Sequence, residues 1–183
     1  MKIACIAWGS LIWEPGPLKL ASAWRPDGPR LPLEFVRDSD DSDELALVLH
    51  EPAPLMPTWW AWLDTADMAG AREMLRQREK IRPDYPQWVG SMPHPAGADD
   101  HRIANWMREV GADGAVWTAI PAKFAGVGER APSAHEAVAF LDGLAGQERA
   151  NAERYVRQVP AEIRTLYRTL FEDKLGWTPQ PAA

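Results

Sequence analysis

Residues 1–15 read MKIACIAWGSLIWEP and combine a predicted strand with a predicted ligand-binding turn. Residues 3–8 are mostly apolar and partly β-branched, which predicts a short buried strand. Gly9 and Ser10 interrupt that run before a second apolar run begins at Leu11. A turn of this kind directs successive backbone N–H groups towards one anion, and Gly9 lets a ligand approach closely because it has no Cβ. The alternative is a tight turn that only joins two core segments.

The composition is typical of one globular domain, and the charge argues against one class of partner. The 183 residues are 46% hydrophobic, which is enough for a substantial core. A net charge of −6 and a pI near 5.2 argue against binding to the phosphate backbone of a nucleic acid. Ten tryptophans predict either a tryptophan-rich core or a pocket lined by indole rings.

The single cysteine, Cys5, excludes an internal disulfide and fits a reducing compartment. Because Cys5 falls within the first predicted strand, we expect a core residue rather than a nucleophile. No apolar stretch reaches the roughly 20 residues of a membrane span, and the N-terminal run lacks a small-residue cleavage site. We therefore expect a cytoplasmic protein with no membrane partner.

Strands come first with helices between them, and the end of the chain is helical, which predicts an α+β fold. The predicted strands are residues 3–8, 33–36, 45–49, 58–63 and 115–120. The predicted helices begin at Asp64 or Thr65 (running to about residue 81), at Asp99 or Asp100, at Ser133, at Gln147 (running to Val159) and at Pro160. Four prolines predict an irregular surface loop over residues 83–95.

A glutamate falls on the apolar face of the first predicted helix. At 100° per residue, Met68, Ala71 and Leu75 form one stripe, and Glu79 continues it. Burial raises the pKa of a carboxyl, and a helix C-terminus disfavours its negative charge further. Both effects move the carboxyl towards the range of a general acid or base near neutral pH. The alternatives are a structural ion pair with a neighbouring arginine and a helix that ends before residue 79.

No metal site is expected from the spacing of the possible ligands. His50, His94, His101 and His135 are far apart and lack the ligand spacing of a zinc site. Residues 37–44 carry four aspartates but lack the glycine and the terminal glutamate of an EF-hand loop.

Two strings resemble one enzyme superfamily. Residues 8–16 read WGSLIWEPG, which resembles the YGSLIW-x-PG string of the ChaC-like branch of the γ-glutamylcyclotransferase superfamily. Residues 75–79 read LRQRE, which resembles the L-x-x-R-E segment that holds the catalytic glutamate of that branch. The chain departs from the family at Trp8, where the family has Tyr, and at residues 81–86, which replace a glycine-rich continuation. The resemblance covers roughly residues 3–125.

The resemblance implies a GGCT-like (γ-glutamylcyclotransferase-like) fold, in which a mixed β-barrel is flanked by helices. Residues 1–125 would form this domain. Residues 126–183 would form a C-terminal helical extension packed on the same domain. The oligomeric state is left open.

The resemblance also implies a reaction without metal or cofactor on a small-molecule γ-glutamyl substrate. The α-amine of the γ-glutamyl group attacks its own γ-carbonyl and releases 5-oxoproline with a free amine or amino acid. Glu79 would be the general acid and base, and the N–H groups of the turn would hold the glutamyl carboxylate and stabilise the oxyanion. The substrate-binding residues would be Trp8, Gly9, Ser10, Leu11, Trp13 and Tyr85.

Two other functions stay open at this point. One is a non-catalytic small-molecule-binding or scaffold protein on the same fold, which the bulk of the Trp8 indole favours. The other is a different amide-cleaving enzyme in which Glu79 activates water. Glu14 is a second candidate acid, although an exposed loop position is expected for it. Thr118 and Lys123, at the end of the last strand, could reach a ligand, although a surface position is expected for both.

Overall fold

The structure, a computed structural model, describes residues 1–39, 44–93 and 100–180. His94, Asp99 and residues 40–43 of the acidic run lie outside the described residues. Strands and helices together confirm the predicted α+β class. The strands are β1 (Ile3–Ala7), β2 (Leu31–Asp38), β3 (Leu45–Leu49), β4 (Leu55–Met56), β5 (Trp59–Trp62), β6 (Val89–Met92), β7 (Gly114–Thr118), β8 (Lys123–Phe124) and β9 (Val127–Gly128). The α-helices are α1 (Met68–Arg78), α2 (His101–Val110), α3 (Ala134–Gly143), α4 (Gly146–Gln158) and α5 (Leu166–Leu175).

The described chain divides into two compact units. The first combines Met1–Leu31 with Pro57–Ile120, and the second combines Pro32–Met56 with the chain from Pro121 onward. Every residue that the resemblance implies for the site belongs to the first unit. The domain boundary at residue 125 and the β-barrel stay predictions.

The first unit is built on a mixed sheet in the order β5-β1-β7-β6. β1 runs parallel to β7, with Cys5 opposite Val116, and antiparallel to β5, with Cys5 opposite Ala61. All of β1 is buried, as expected for a central strand whose residues are almost all apolar. Because β1 and β7 are parallel, their ends at Ala7 and Thr118 lie at the same edge of the sheet, which we call the carboxyl edge.

α1 begins at Met68 because Asp67 caps it. The Asp67 carboxylate accepts hydrogen bonds from two backbone N–H groups of the first turn, at 3.1 and 3.0 Å. The cap predicted at Asp64 or Thr65 is therefore wrong. Thr65 instead accepts a hydrogen bond from the Asp67 N–H at 3.2 Å, which holds the segment before the helix.

α1 ends at Arg78, earlier than the predicted residue 81, and Glu79 is its C-cap. Lys80 follows with a left-handed backbone (φ 54°). The Lys80 and Ile81 N–H groups bond back to carbonyls of the last turn at 3.2 and 3.0 Å, which is the Schellman pattern. This ending brings Ile81 into the buried cluster between α1 and the sheet and fixes the point at which Glu79 leaves the helix.

The irregular loop predicted over residues 83–95 is wrong for its central part. Pro86–Trp88 forms a 3₁₀ turn, and β6 then pairs antiparallel with β7. The sequence VGSM of β6 has weak strand propensity, so this strand depends on tertiary contacts. The Trp117 ring lies so close to Gly90 that a Cβ at this position would be 2.2 Å from the indole Nε1. The neighbouring prolines flank the strand rather than interrupt it.

α2 and several tryptophans supply much of the remaining packing of the first unit. Asp100 is the N-cap of α2, as predicted, and Gly111 (φ 70°) is its C-cap. The Trp106 ring contacts the Trp60 ring edge to face at 5.3 Å, and both indole N–H groups donate to Asp27. Half of the ten tryptophans are buried, namely Trp8, Trp60, Trp106, Trp117 and Trp177.

The second unit combines a sheet in the order β3-β2-β8-β9 with α3, α4 and α5, and β4 pairs with β2. Ser133 caps α3 in a capping box with Glu136, as predicted. α5 begins at Leu166 with Thr165 as its N-cap, so the predicted start at Pro160 is wrong. The segment between α4 and α5 is a turn instead, because its carbonyls bind a buried arginine.

That arginine is Arg168, which is fully buried within the second unit. Its guanidinium donates hydrogen bonds at 2.6–3.3 Å to the carbonyls of Val156, Val159, Pro160 and Ile163. These carbonyls belong to the end of α4 and the turn that follows, where the helix leaves acceptors without a partner and its dipole is negative. One planar group with five donors therefore closes α4 and positions the start of α5.

Replacing Arg168 with Met is expected to lower the free energy of unfolding by at least about 3 kcal/mol, because several buried carbonyls lose their donors. Arg168→Lys recovers only part of this loss, since an ammonium cannot reproduce the planar fork. Urea denaturation followed by tryptophan fluorescence measures both values. The control is Arg164→Met, an exposed position in the same segment, with an expected change within about 0.5 kcal/mol. Equal effects of Arg168→Met and Arg164→Met would contradict the assignment.

Candidate active site

The predicted glycine turn, residues 9–14, lies at the carboxyl edge directly after β1. Two backbone hydrogen bonds, from Ile12 to Gly9 at 3.0 Å and from Glu14 to Ser10 at 2.8 Å, make the turn compact. The N–H groups of Gly9, Ser10 and Leu11 donate no hydrogen bond to any residue that the structure describes. They are therefore available as donors to an anion or to a developing oxyanion.

Glu79 lies in the first unit with its side chain turned inward, as predicted, and is 15% exposed. Burial raises the pKa of the Glu79 carboxyl, while the Arg78 guanidinium and the Thr118 hydroxyl partly oppose this effect. The C-cap position also disfavours the negative charge, because it lies at the negative end of the helix dipole. The two structural alternatives are present as well: α1 ends before residue 79, and Arg78 Nη1 lies 3.3 Å from Glu79 Oε1.

Thr118 and Cys5 are the other residues that interact with the Glu79 carboxyl. Thr118 ends β7 at the carboxyl edge, and its Oγ1 is buried, so the expected surface position is wrong. This hydroxyl makes no hydrogen bond of standard geometry to any described residue, which leaves it able to bind a ligand. Burial, together with the charge of Glu79, raises the pKa of the Cys5 thiol to about 12. Cys5 is therefore a neutral core residue, as predicted, and not a nucleophile.

Arg78 joins the glycine turn to Glu79. Its Nη2 donates to Ser10 Oγ at 2.9 Å, and its Nε and Nη2 both donate to the Glu14 carbonyl, at 3.0 and 2.8 Å. Its Nη1 faces the Glu79 carboxylate. One guanidinium thus holds the turn and the carboxylate next to each other. The Glu14 side chain is exposed, so this second candidate acid contributes only its carbonyl.

The other predicted substrate-binding residues occupy different environments. Leu11 is buried in the apolar cluster between α1 and the sheet, and Trp8 is buried outside that cluster, each 5% exposed, so both have a packing role. Trp13 is half-buried. Tyr85 stacks on Trp88 with ring centroids 4.3 Å apart and packs against the edge of the same cluster. The structure therefore connects Glu79 to the turn through the contacts of Arg78, whereas the predicted aromatic residues are not part of this connection.

A second buried carboxyl, Glu34, lies in the second unit and shows by contrast what is distinctive at Glu79. Burial raises the pKa of Glu34 too. Its two carboxylate oxygens, however, accept hydrogen bonds from the Phe35 N–H at 2.9 Å and from the Tyr167 N–H at 3.3 Å. Glu34, which lies on β2, therefore caps the start of α5. Both of its carboxylate oxygens accept hydrogen bonds from backbone N–H groups.

No group of three or more His, Cys, Asp or Glu side chains is placed to hold a metal ion in the parts of the chain that the structure describes. Among the same residues, no helix is both long enough and apolar enough to cross a bilayer.

Comparison of the chain with protein-family models, with curated proteins and with solved structures finds no match in any of the three. The likeness to the γ-glutamylcyclotransferase superfamily therefore stays a resemblance of sequence strings, and the functional argument depends on the geometry of the site.

The raised pKa of Glu79 predicts how stability changes with pH. A carboxyl that binds its proton more tightly in the folded state makes stability fall as the pH rises above the ordinary glutamate pKa of about 4.3. Relative to the wild type, Glu79→Gln is therefore expected to gain stability between about pH 4 and pH 7. Urea denaturation of both proteins across this range measures the difference.

Glu73 on the same helix provides a control with the opposite sign. Hydrogen bonds from Arg76 and Gln77 lower the pKa of this exposed carboxyl to about 2. Its contribution to stability is complete above the ordinary glutamate pKa and is lost as the pH falls towards about 2. Relative to the wild type, Glu73→Gln should therefore lose stability as the pH rises from about 2 to about 4, and should run parallel to it between about pH 4 and pH 7. If the stabilities of wild type and Glu79→Gln run parallel with pH, the unfavourable burial of the Glu79 charge is refuted.

Proposed function

We propose that the protein is a γ-glutamyl cyclotransferase that releases 5-oxoproline from a small γ-glutamyl peptide or amine. The observation that carries the proposal is that one guanidinium, that of Arg78, contacts both a buried carboxyl, Glu79, and the glycine turn, whose first three N–H groups donate to no described residue. The proposal includes the GGCT-like barrel and a cytoplasmic location. It also includes independence from metals and cofactors.

The reaction needs one group that accepts a proton and later returns it. The Glu79 carboxylate accepts a proton from the α-ammonium of the substrate, and the free amine then attacks the γ-carbonyl carbon. The new C–N bond closes a five-membered ring, and the negative charge moves to the carbonyl oxygen. Glu79 returns its proton to the leaving nitrogen as the original amide bond breaks. The ring nitrogen still carries two protons at this stage, and Glu79 removes one of them and passes it to the released amine. The products are 5-oxoproline and an ammonium, and Glu79 is a carboxylate again.

The glycine turn contributes orientation and charge stabilisation. Backbone N–H donors bind the glutamyl carboxylate and hold the substrate in a folded conformation, with the amine next to its own γ-carbonyl. Donors of the same turn stabilise the oxyanion of the tetrahedral intermediate. The Thr118 hydroxyl lies beside Glu79, lowers the cost of its negative charge and adds a polar group to this side of the carboxyl.

A non-catalytic binding protein is the second candidate, and Trp8 favours it. The indole that stands in place of the family's Tyr is buried. It has a single N–H donor and no acceptor, so it cannot replace a phenol in a proton-handling role.

The test is release of 5-oxoproline from a panel of γ-glutamyl peptides and amines. Wild type is expected to release it, and Glu79→Gln should lose about 10²–10⁴-fold in rate, the usual contribution of a general acid and base. Glu73→Gln, which removes an exposed carboxyl from the same helix, is the matched control and should keep full activity.

Three other results separate the candidates. Folded wild type that releases nothing from any compound, but is stabilised against heat by one of them, supports the binding protein. Release of free glutamate in place of 5-oxoproline supports hydrolysis by water that Glu79 activates. Full 5-oxoproline release by Glu79→Gln contradicts the assigned role of this residue.

A further inference from the structure

Arg78 is more extensively bound than a surface arginine at a helix end. Its side chain is 13% exposed, and all three guanidinium nitrogens are engaged. Nε and Nη2 form a fork on the Glu14 carbonyl, while Nη2 also reaches Ser10. The partners in the turn lie 64 and 68 residues away along the chain. Arg78 is therefore a tertiary link and not a local helix contact.

The aliphatic part of the Arg78 side chain also lies close to the chain that follows the turn. Gly16 has a left-handed backbone (φ 58°), and a Cβ at this position would lie 3.3 Å from Arg78 Cγ. The chain from Ser10 to Gly16 thus wraps the arginine from its guanidinium to its aliphatic carbons. The position of the guanidinium and the position of the turn therefore depend on each other.

Arg78 contacts neutral groups in the turn and a carboxylate at Glu79. Its contacts in the turn are a hydroxyl and a carbonyl, which are neutral, and Glu79 is the single carboxylate within contact distance among the described residues. The guanidinium therefore opposes the effect of burial on Glu79 while remaining attached to the turn. When Glu79 takes up a proton, Arg78 keeps its hydrogen bonds to the neutral groups of the turn and therefore stays in place.

We propose that Arg78 is the positioning residue of the site: its contacts to Ser10, Glu14 and Glu79 fix the glycine turn against the Glu79 carboxyl, and its guanidinium supplies the counter-charge of that group. The inference rests on the proposed function for its catalytic part. Its structural part, the link between Arg78 and the ionisation of Glu79, stands apart from any activity. Lysine cannot take over this role, because a single ammonium cannot reach Ser10, Glu14 and Glu79 in one fixed geometry.

The first measurement is the titration of the Glu79 carboxyl by carbon-13 NMR in protein labelled at glutamate, with the resonance assigned by its loss in Glu79→Gln. Arg78→Met is expected to move the titration to higher pH. Arg78→Lys should move it less. The control is Arg108→Met, which removes an exposed arginine from the last turn of α2 and should leave it unchanged. The other groups that act on Glu79 are Thr118, which is neutral, and Cys5, whose pKa near 12 keeps it neutral throughout.

The second measurement is 5-oxoproline release as a function of pH. Both Arg78→Met and Arg78→Lys should lose roughly 10²-fold in kcat/KM, as expected when a turn that positions the substrate moves by about 1 Å. The acidic limb of the profile should move to higher pH in Arg78→Met, a change that mere loss of packing would not produce. Ser10→Ala removes one contact of the link and serves as the milder variant if Arg78→Met does not fold.

The outcomes distinguish the two proposals. An unchanged Glu79 titration in folded Arg78→Met overturns the positioning role, whatever the activity. If the Glu79 titration is shifted in Arg78→Met but the wild type makes no 5-oxoproline, the link between Arg78 and Glu79 is upheld and the cyclotransferase is rejected. Full activity of Arg78→Lys overturns the requirement for the guanidinium fork.

Discussion

The parallel pairing of β1 with β7 is the constraint on which the site depends. It places the ends of two strands that are distant in sequence at one edge, so that the glycine turn and Thr118 become neighbours. The Schellman ending of α1 then stops the helix and leaves Glu79 beside that edge. If the two strands were antiparallel, the turn and Thr118 would lie at opposite ends of the sheet, and no later side chain could bring them together.

Local sequence patterns predicted the elements whose causes are local. The apolar run at residues 3–8, the caps Asp100 and Ser133, and the inward position of Glu79 follow from periodicity and capping chemistry, and the structure confirms them. The start and end of α1 were misplaced by a few residues for local reasons, namely the Asp67 cap and the turn at Lys80, whereas two other failures have distant causes. β6 depends on the Trp117 ring that covers Gly90, and the segment after Pro160 is shaped by carbonyl contacts to a guanidinium that follows it.

The candidate site shows the same division. Glu79 and the turn could be proposed from sequence because each carries its own pattern. Their connection through Arg78 could not, since contacts across more than sixty residues leave no periodic trace. Thr118 could be named from sequence as a possible ligand contact, but its place beside Glu79 comes from strand order and not from its neighbours in sequence. Chemistry was therefore easier to predict from this chain than the geometry that organises it.

The buried thiol of Cys5 can report how often the surrounding structure opens. It is the one sulfhydryl in the chain, and it lies in the cluster that α1 covers, within the electrostatic reach of Glu79. A thiol reagent can reach the buried sulfur only when the packing of this cluster opens, so the rate of modification in native buffer depends on how often the cluster opens. Any molecule that binds between the turn and Glu79 would slow this rate. A single native residue therefore reports occupancy of the site without a label or an assay of turnover.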